Sequence, residues 1–354
     1  MKLAGCFGGH PQWSNRPTPP VRGKGKGVWA AVGLAPIAVI AASIVTTVAV
    51  LSPDPAAAND ATPSASNGGL QFASANDTGP ANLITEDPTC EAWSKVTRDH
   101  YDQTEAVRWS RRDPNISAAS WTPQQRDMYD TVGKSMETVG GQAKHLAKKT
   151  PHRVMRRLYE QVTAYASAFR ATIPAYVAVD NKTAAVVDAL ITAAADICAA
   201  VKHSSVQTVG PLTNDPPAPT HNTPLDDAEV PQRFLAAGNH VCTDWTTQSI
   251  GLATDAAQWR NLDPDVPASE WTPAQKAIKD TAARLMTANA DRFEGLGRAS
   301  GNPVLEDFAV LAAQYWRGFV SALPHYTPAD SYLPESATLL STTVNLACKA
   351  AVIG

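Results

Sequence analysis

Between positions 154 and 169, apolar side chains recur every three or four residues: Val154, Leu158, Val162, Tyr165 and Phe169. That spacing puts all five on one face of an α-helix, wide enough to be the face that folding buries. The pattern stops short of Pro174, because the residue before a proline is pushed out of the helical region. The same series returns as Val304, Phe308, Leu311, Tyr315 and Phe319, again stopping before a proline, Pro324. The chain writes one helix twice, 150 positions apart.

The duplication reaches well beyond this helix. WTPQQRDMYDT at 121–131 reappears as WTPAQKAIKDT at 271–281. A C-x-x-W pattern occurs at 90–93 and at 242–245. A two-residue length difference follows, after which Trp109 matches Trp259, Asp113 matches Asp263, Tyr176 matches Tyr326, Leu190 matches Leu340 and Cys198 matches Cys348. Each copy reads as four helices. The first runs over about 90–109 and about 230–259. The second opens at Pro123 or Pro273, with Thr122 or Thr272 as N-cap and the preceding Trp as a hydrophobic staple. The third is the periodic helix above, and the fourth covers about 181–202 and 335–352. Period-two alternation is missing, so no sheet is expected. The predicted fold class is all-α: two tandem, internally duplicated four-helix bundles at 87–203 and 229–354, joined by a Pro-rich linker at 204–228.

A different pattern occupies the first ninety residues. Residues 28–51 hold 24 positions without a charge. As a helix they extend roughly 36 Å, enough for a hydrocarbon core of about 30 Å. A cleaved signal peptide is the rival reading, but its apolar region usually runs about 7 to 15 residues. Lys2, Arg16, Arg22, Lys24 and Lys26 precede the run, and no Lys or Arg follows until Lys95. Cationic flanks stay in the cytoplasm. The expected topology is a single-pass membrane protein with a short cytoplasmic tail at 1–27, a transmembrane helix at 28–51 and an exported remainder. Residues 52–86, rich in Pro, Ala and Ser, read as a tether.

Composition narrows the function classes. Net charge over the 354 residues is −3, so bulk charge does not suggest nucleic-acid binding. Four of the five cysteines, Cys90, Cys198, Cys242 and Cys348, fall in the exported part, where disulfides persist. Each copy places one at the start of its first helix and one inside its last, so pairing Cys90 with Cys198 and Cys242 with Cys348 closes each bundle on itself. The metalloprotease, nucleophile-elbow, Walker and dinucleotide signatures are missing. No His pair has metal-ligand spacing, so neither a metal site nor a cofactor is read. Asp130 and Asp280 recur in mid-helix, where a structural role outweighs acid–base chemistry.

Two sets of residues are candidates for binding. Trp93, Trp109, Trp121 and Tyr165, with Trp245, Trp259, Trp271 and Tyr315, could line a groove for a small ligand, although such rings more often fill a core. The other set is a charge inversion. Residues 89–203 carry a net +4 and residues 229–354 a net −4. The basic cluster Lys148, Lys149, Arg153, Arg156 and Arg157 includes two positions, 156 and 157, that correspond to Glu306 and Asp307. Such a corner could be a solvated face, could dock the two copies together, or could bind an anionic lipid or envelope polymer. The function read from the sequence is a membrane-anchored, exported, non-enzymatic binding, sensing or scaffolding ectodomain of the bacterial cell envelope. A carrier of haem or lipid within the bundles, and a hydrolase with an unrecognised site, are the alternatives.

Overall fold

The computed structural model describes residues 72–221 and 231–351. The apolar run at 28–51, the cytoplasmic tail and the first part of the tether lie outside the described residues. The described residues belong to one compact unit, which is helical with no strand among them. In the first copy the helices are α1 (Cys90–Ala106), α2 (Pro123–Ala147), α3 (Arg153–Thr172), α4 (Asn181–Lys202) and the short α5 (Ser205–Val209). In the second they are α6 (Cys242–Asp255), α7 (Ala257–Arg260), α8 (Pro273–Ala299), α9 (Pro303–Ala322) and α10 (Tyr332–Ala351).

The repeated words of the sequence build one corner in each copy. Thr122 and Thr272 accept the backbone N–H of Gln125 and Gln275 at 3.2 Å, and each Gln side chain accepts the Thr N–H in return at 2.9 Å. This reciprocal capping box satisfies two N–H groups that a helix start otherwise leaves unpaired. The indole N–H of Trp121 donates to the Ile116 carbonyl and that of Trp271 to Val266, both at 2.9 Å. The hydroxyls of Tyr176 and Tyr326 donate to the carbonyls of Pro114 and Pro264. Trp, Thr, Pro, Asp-Pro and Tyr recur together because they are parts of one hydrogen-bonded joint.

Within each copy α2 packs on α3, α3 on α4, and α1 on both α2 and α4; α8, α9, α10 and α6 repeat that arrangement. A disulfide joins Cys90 to Cys198, with Cα atoms 5.1 Å apart, and another joins Cys242 to Cys348, at 5.4 Å. The copies do not orient independently, as a free linker would allow. α4 lies along α10 and α3 meets α9. Part of the segment read as a Pro-rich linker forms α5, which packs on α9. One described helix, Ala178–Lys202, is long and apolar enough to cross a membrane, but 61% of its apolar window is buried inside the protein. It is the core helix shared by the two copies.

Two helix starts and ends differ from the sequence pattern. α1 stops at Ala106 because Arg108 adopts a left-handed backbone (φ 54°), which turns Trp109 into the core. α6 begins at Cys242 rather than near 230. The segment before it is an arm that crosses to the first copy, where the Phe234 N–H donates to the Gln161 side chain at 2.9 Å. The chain before α1 crosses in the other direction: a Cβ added at Gly318 of α9 would lie 3.4 Å from Leu83.

Candidate functional site

The basic corner resolves at the first turns of α3. Arg153, Arg156 and Arg157 are 5%, 3% and 5% exposed, so among the readings the sequence left open the solvated face does not describe them. Arg153 holds both carboxylate oxygens of Asp307, its Nε and Nη2 each 3.0 Å away. Arg157 donates to the same carboxylate and to the Pro303 carbonyl. Planar guanidinium groups suit this two-point grip, and a buried carboxylate needs it, because an unpaired charge there is heavily penalised.

Arg157 and Asp307 occupy equivalent positions of the duplicated sequence, and they touch each other. A residue that meets its own counterpart lies on a two-fold axis. Two identical copies would bring like charges together at that point. Opposite signs turn the repulsion into an ion pair, which accounts for the charge inversion at this position.

The neighbouring position, 156 or 306, holds the chain that leads into each copy. The Arg156 guanidinium lies 3.3 Å from the centre of the Phe72 ring, and its Nε donates to Glu160 at 2.6 Å. Glu306, 1% exposed, accepts the Thr220 N–H at 2.6 Å and an Arg298 N–H at 3.2 Å, with His221 Nδ1 at 3.3 Å. Arg298 also donates to the carbonyls of Pro217 and Ala218. Of the predicted cluster only Lys148 and Lys149, on the turn between α2 and α3, remain exposed.

The aromatic candidates do not converge on a groove. Trp93, Trp245, Tyr165 and Tyr315 are fully buried. Trp93 meets Tyr159 edge-on at 5.0 Å, and Trp245 packs on Phe293 at 4.7 Å. Trp109 and Trp121 close around Tyr129 at 5.0 and 4.0 Å. Trp259 lies against Phe319, and Trp271 against Tyr326. Two open surface depressions, one along Thr85–Pro88 and Pro151, the other along Ser117–Ala119 and Pro174–Val177, include none of these eight residues. Asp130 pairs with Lys134 at 2.7 Å and Arg170 at 2.9 Å; the Lys134 hydrogen bond, more than the Arg170 one, holds its carboxyl below the usual range.

Sequence reasoning missed three buried polar sites. Lys279 stands where the first copy has Tyr129. It is 3% exposed, with its ammonium 4.7 Å from the Trp271 ring centre and 4.2 Å from that of Tyr326. Burial pushes its pKa down to about 8. The signal was a lysine replacing an aromatic inside an otherwise repeated motif. His100, 2% exposed, shares a 2.8 Å hydrogen bond with Ser135; burial lowers its pKa and the charge of Asp188 partly opposes this. Asp87 accepts from the Thr89 N–H at 2.8 Å and from both the Thr89 and Thr150 hydroxyls at 2.5 Å, and Thr89 also meets the Tyr159 hydroxyl. That network ties the start of α1 to the α2–α3 turn. No cluster of three potential metal ligands occurs among the described residues.

A family model described as mycobacterial ESX-1 associated protein matches residues 72–352. An uncharacterised protein of Mycolicibacterium smegmatis (strain MKD8) is 40% identical over 352 residues, covering 97% of this chain and 92% of that protein. No solved structure matches.

Proposed function

The chain belongs to the family of mycobacterial ESX-1 associated proteins, and from that premise we propose that it is a membrane-tethered, exported scaffolding or binding protein of the cell envelope that serves secretion rather than catalysing a reaction. The observation that carries this reading is the pair of disulfides, one in each copy of the duplicated fold. Structural disulfides persist in oxidising, extracytoplasmic compartments, and the uncharged run at 28–51 with its cationic N-terminal flank supplies a way to reach one. In this reading residues 87–203 and 229–354 are two tandem four-helix bundles that act as one rigid body, and the segment 52–86, whose residues Phe72, Ala81 and Ile84 are buried against that body, tethers it to a single membrane span. The buried charges and rings serve rigidity, and partners meet the outer surface.

Topology is tested by a reporter that is active only outside the cytoplasm, fused after residue 86. Activity, with residues 1–51 retained in the mature protein, is the expected result; a soluble form beginning near Asn59 overturns the anchor. The role in secretion is tested by deleting the protein and measuring export by the system named in the family description. Loss of export, restored by the full chain and not by a chain lacking residues 28–51, is expected. Unchanged export after deletion overturns the role.

A further inference from the structure

The buried carboxylates Glu294, Glu306 and Asp307 are each answered by arginine. Two cations drawn in among aromatic rings are not answered in that way. Arg112 lies with its guanidinium 3.3 Å from the centre of the Trp109 ring. It donates to two neutral oxygens, the Trp109 carbonyl at 2.9 Å and the Asn181 side chain at 2.6 Å. Burial lowers its pKa, and the charge of Asp188, the foremost opposing influence, acts without an ion pair among the described residues. Lys279 makes neither a hydrogen bond nor an ion pair among the described residues and rests on the Trp271 and Tyr326 rings. A ring face repays only part of the cost of taking a cation out of water.

The two cations stand at the same corner of the two copies but not at equivalent positions. Arg112 corresponds to Leu262, and Lys279 to Tyr129. Each copy therefore has one cation there, supplied by the chain between α1 and α2 in the first and by α8 in the second. The rings of the corner, Trp109, Trp121 and Tyr176 or Trp259, Trp271 and Tyr326, are kept in both. A charge needed for a cap or a local ion pair would stay at one position. Here the charge moves along the sequence while its corner stays, so the need belongs to the corner.

The first corner also gathers hydrogen-bond donors. The indole N–H of Trp109, the hydroxyl of Tyr129 and the Nε–H of Arg112 are all buried without a protein acceptor. The Trp109 and Tyr129 rings are 5.0 Å apart. The Tyr129 hydroxyl lies near both the Arg112 guanidinium and the Tyr176 hydroxyl, aligned for a hydrogen bond with neither. A positive group with N–H and O–H donors around it is the chemistry that holds an anion. Tyr176 also lines an open surface depression of about 380 Å³, which has the exposed Arg126 at its edge. Lys276 is the equivalent of Arg126, so this outer cation recurs as well.

We propose that the aromatic corner of each copy binds a compact monovalent anion of halide size, on Arg112, Trp109 and Tyr129 in the first copy and on Lys279 in the second. One positive charge per corner, set among packed rings, favours a small singly charged ion over a phosphate or a lipid headgroup. This goes beyond the scaffolding reading and does not depend on it. The anion completes the joint from which α2 and α8 start, and so couples the firmness of the helical body to the salt around it.

The test uses the full chain, oxidised and in non-ionic detergent. Chloride NMR line broadening reports bound chloride directly, while gluconate, too bulky for the corner, holds ionic strength constant. Excess broadening that bromide abolishes is expected, with a thermal midpoint that climbs and then saturates as chloride replaces gluconate. Arg112→Leu and Lys279→Tyr each install the residue that the other copy carries at that position. Each should remove one site, and together they should remove the excess broadening. Leu262→Arg added to Lys279→Tyr rebuilds the first copy's pattern in the second and should restore what Lys279→Tyr removes. Lys95→Gln, at an exposed lysine of α1 outside both corners, should change nothing. No excess broadening in the unaltered chain, undiminished broadening in the double variant, or an equal loss in Lys95→Gln overturns the proposal. Tyr already fills the equivalent of position 279 in the first copy, so Lys279→Tyr alone decides should the double variant not fold: broadening equal to that of the unaltered chain overturns the proposal.

Discussion

Single residues in this protein matter most where charge is buried. Asp307 faces two guanidinium groups with its side chain 2% exposed. Asp307→Asn leaves both cations without a counter-charge, and a loss of about 3–5 kcal/mol is expected, read from denaturant midpoints. Arg157→Leu should cost less, since Arg153 still grips the carboxylate. His100 gives a pH dependence. Burial lowers its folded pKa, while the unfolded side chain titrates near 6.5. The unfolded state then binds the proton more readily, so stability should fall as pH drops below about 6.5. His100→Asn should flatten that difference in melts at acid and neutral pH. Lys279 works at the other end of the scale. Its folded pKa of about 8 lies below the usual lysine value near 10.4, so stability should rise between those two values. Lys279→Tyr, which restores the residue of the first copy, should remove that rise and raise the midpoint at pH 7. None of these three sites could be read from local sequence, because burial is set by partners far away in the chain; Asp307 lies 150 positions from Arg157. The trace they did leave was a mismatch between copies: Arg against Asp, Tyr against Lys.

At the level of elements, much more was legible. The apolar series on α3 and α9, the stops before Pro174 and Pro324, and the Thr-Pro starts of α2 and α8 all follow from local rules of periodicity and capping. What local rules omitted was the recurring Gln, which closes each capping box. Thr272→Ala removes one acceptor and should cost about 1 kcal/mol of stability, with a similar loss for Thr122→Ala. The ends of α1 and the start of α6 escaped, because a left-handed Arg108 and a crossing arm are decisions of the tertiary structure. Close helix contacts make a further prediction. A Cβ at Gly297 would come within 2.3 Å of the Ala309 Cβ, so α8 and α9 approach more closely there than any side chain allows. Gly297→Ala should destabilise by about 1–3 kcal/mol through overpacking. The first copy carries Ala at the equivalent position 147, so Ala147→Gly should not yield a matching gain.

For the whole molecule, the duplicated sequence predicts two similar bodies, and the structure joins them into one. Equivalent residues meet at Arg157 and Asp307, equivalent helices meet as α4 and α10, and the arms before α1 and α6 cross to opposite copies. This is the logic of a symmetric dimer carried on one chain, with the difference that the axis can hold unlike residues. A shared core has a consequence for unfolding. If the copies were independent, damage to one would leave the other intact. Here α4 has α10 as part of its wall, so loss of the second copy exposes the core of the first. Cys242→Ser with Cys348→Ser removes the disulfide of the second copy alone and, with a closed loop of about 100 residues, should cost about 4 to 5 kcal/mol in the chain-entropy account. Hydrogen exchange followed separately in α3 and α9 then distinguishes the cases. Equal loss of protection in both helices, with a single unfolding transition, is expected of one cooperative body. Full protection in α3 alongside weakened α9 would mean that the contact between copies contributes little, and the Arg157–Asp307 pair would then be a local fastening rather than the centre of the fold.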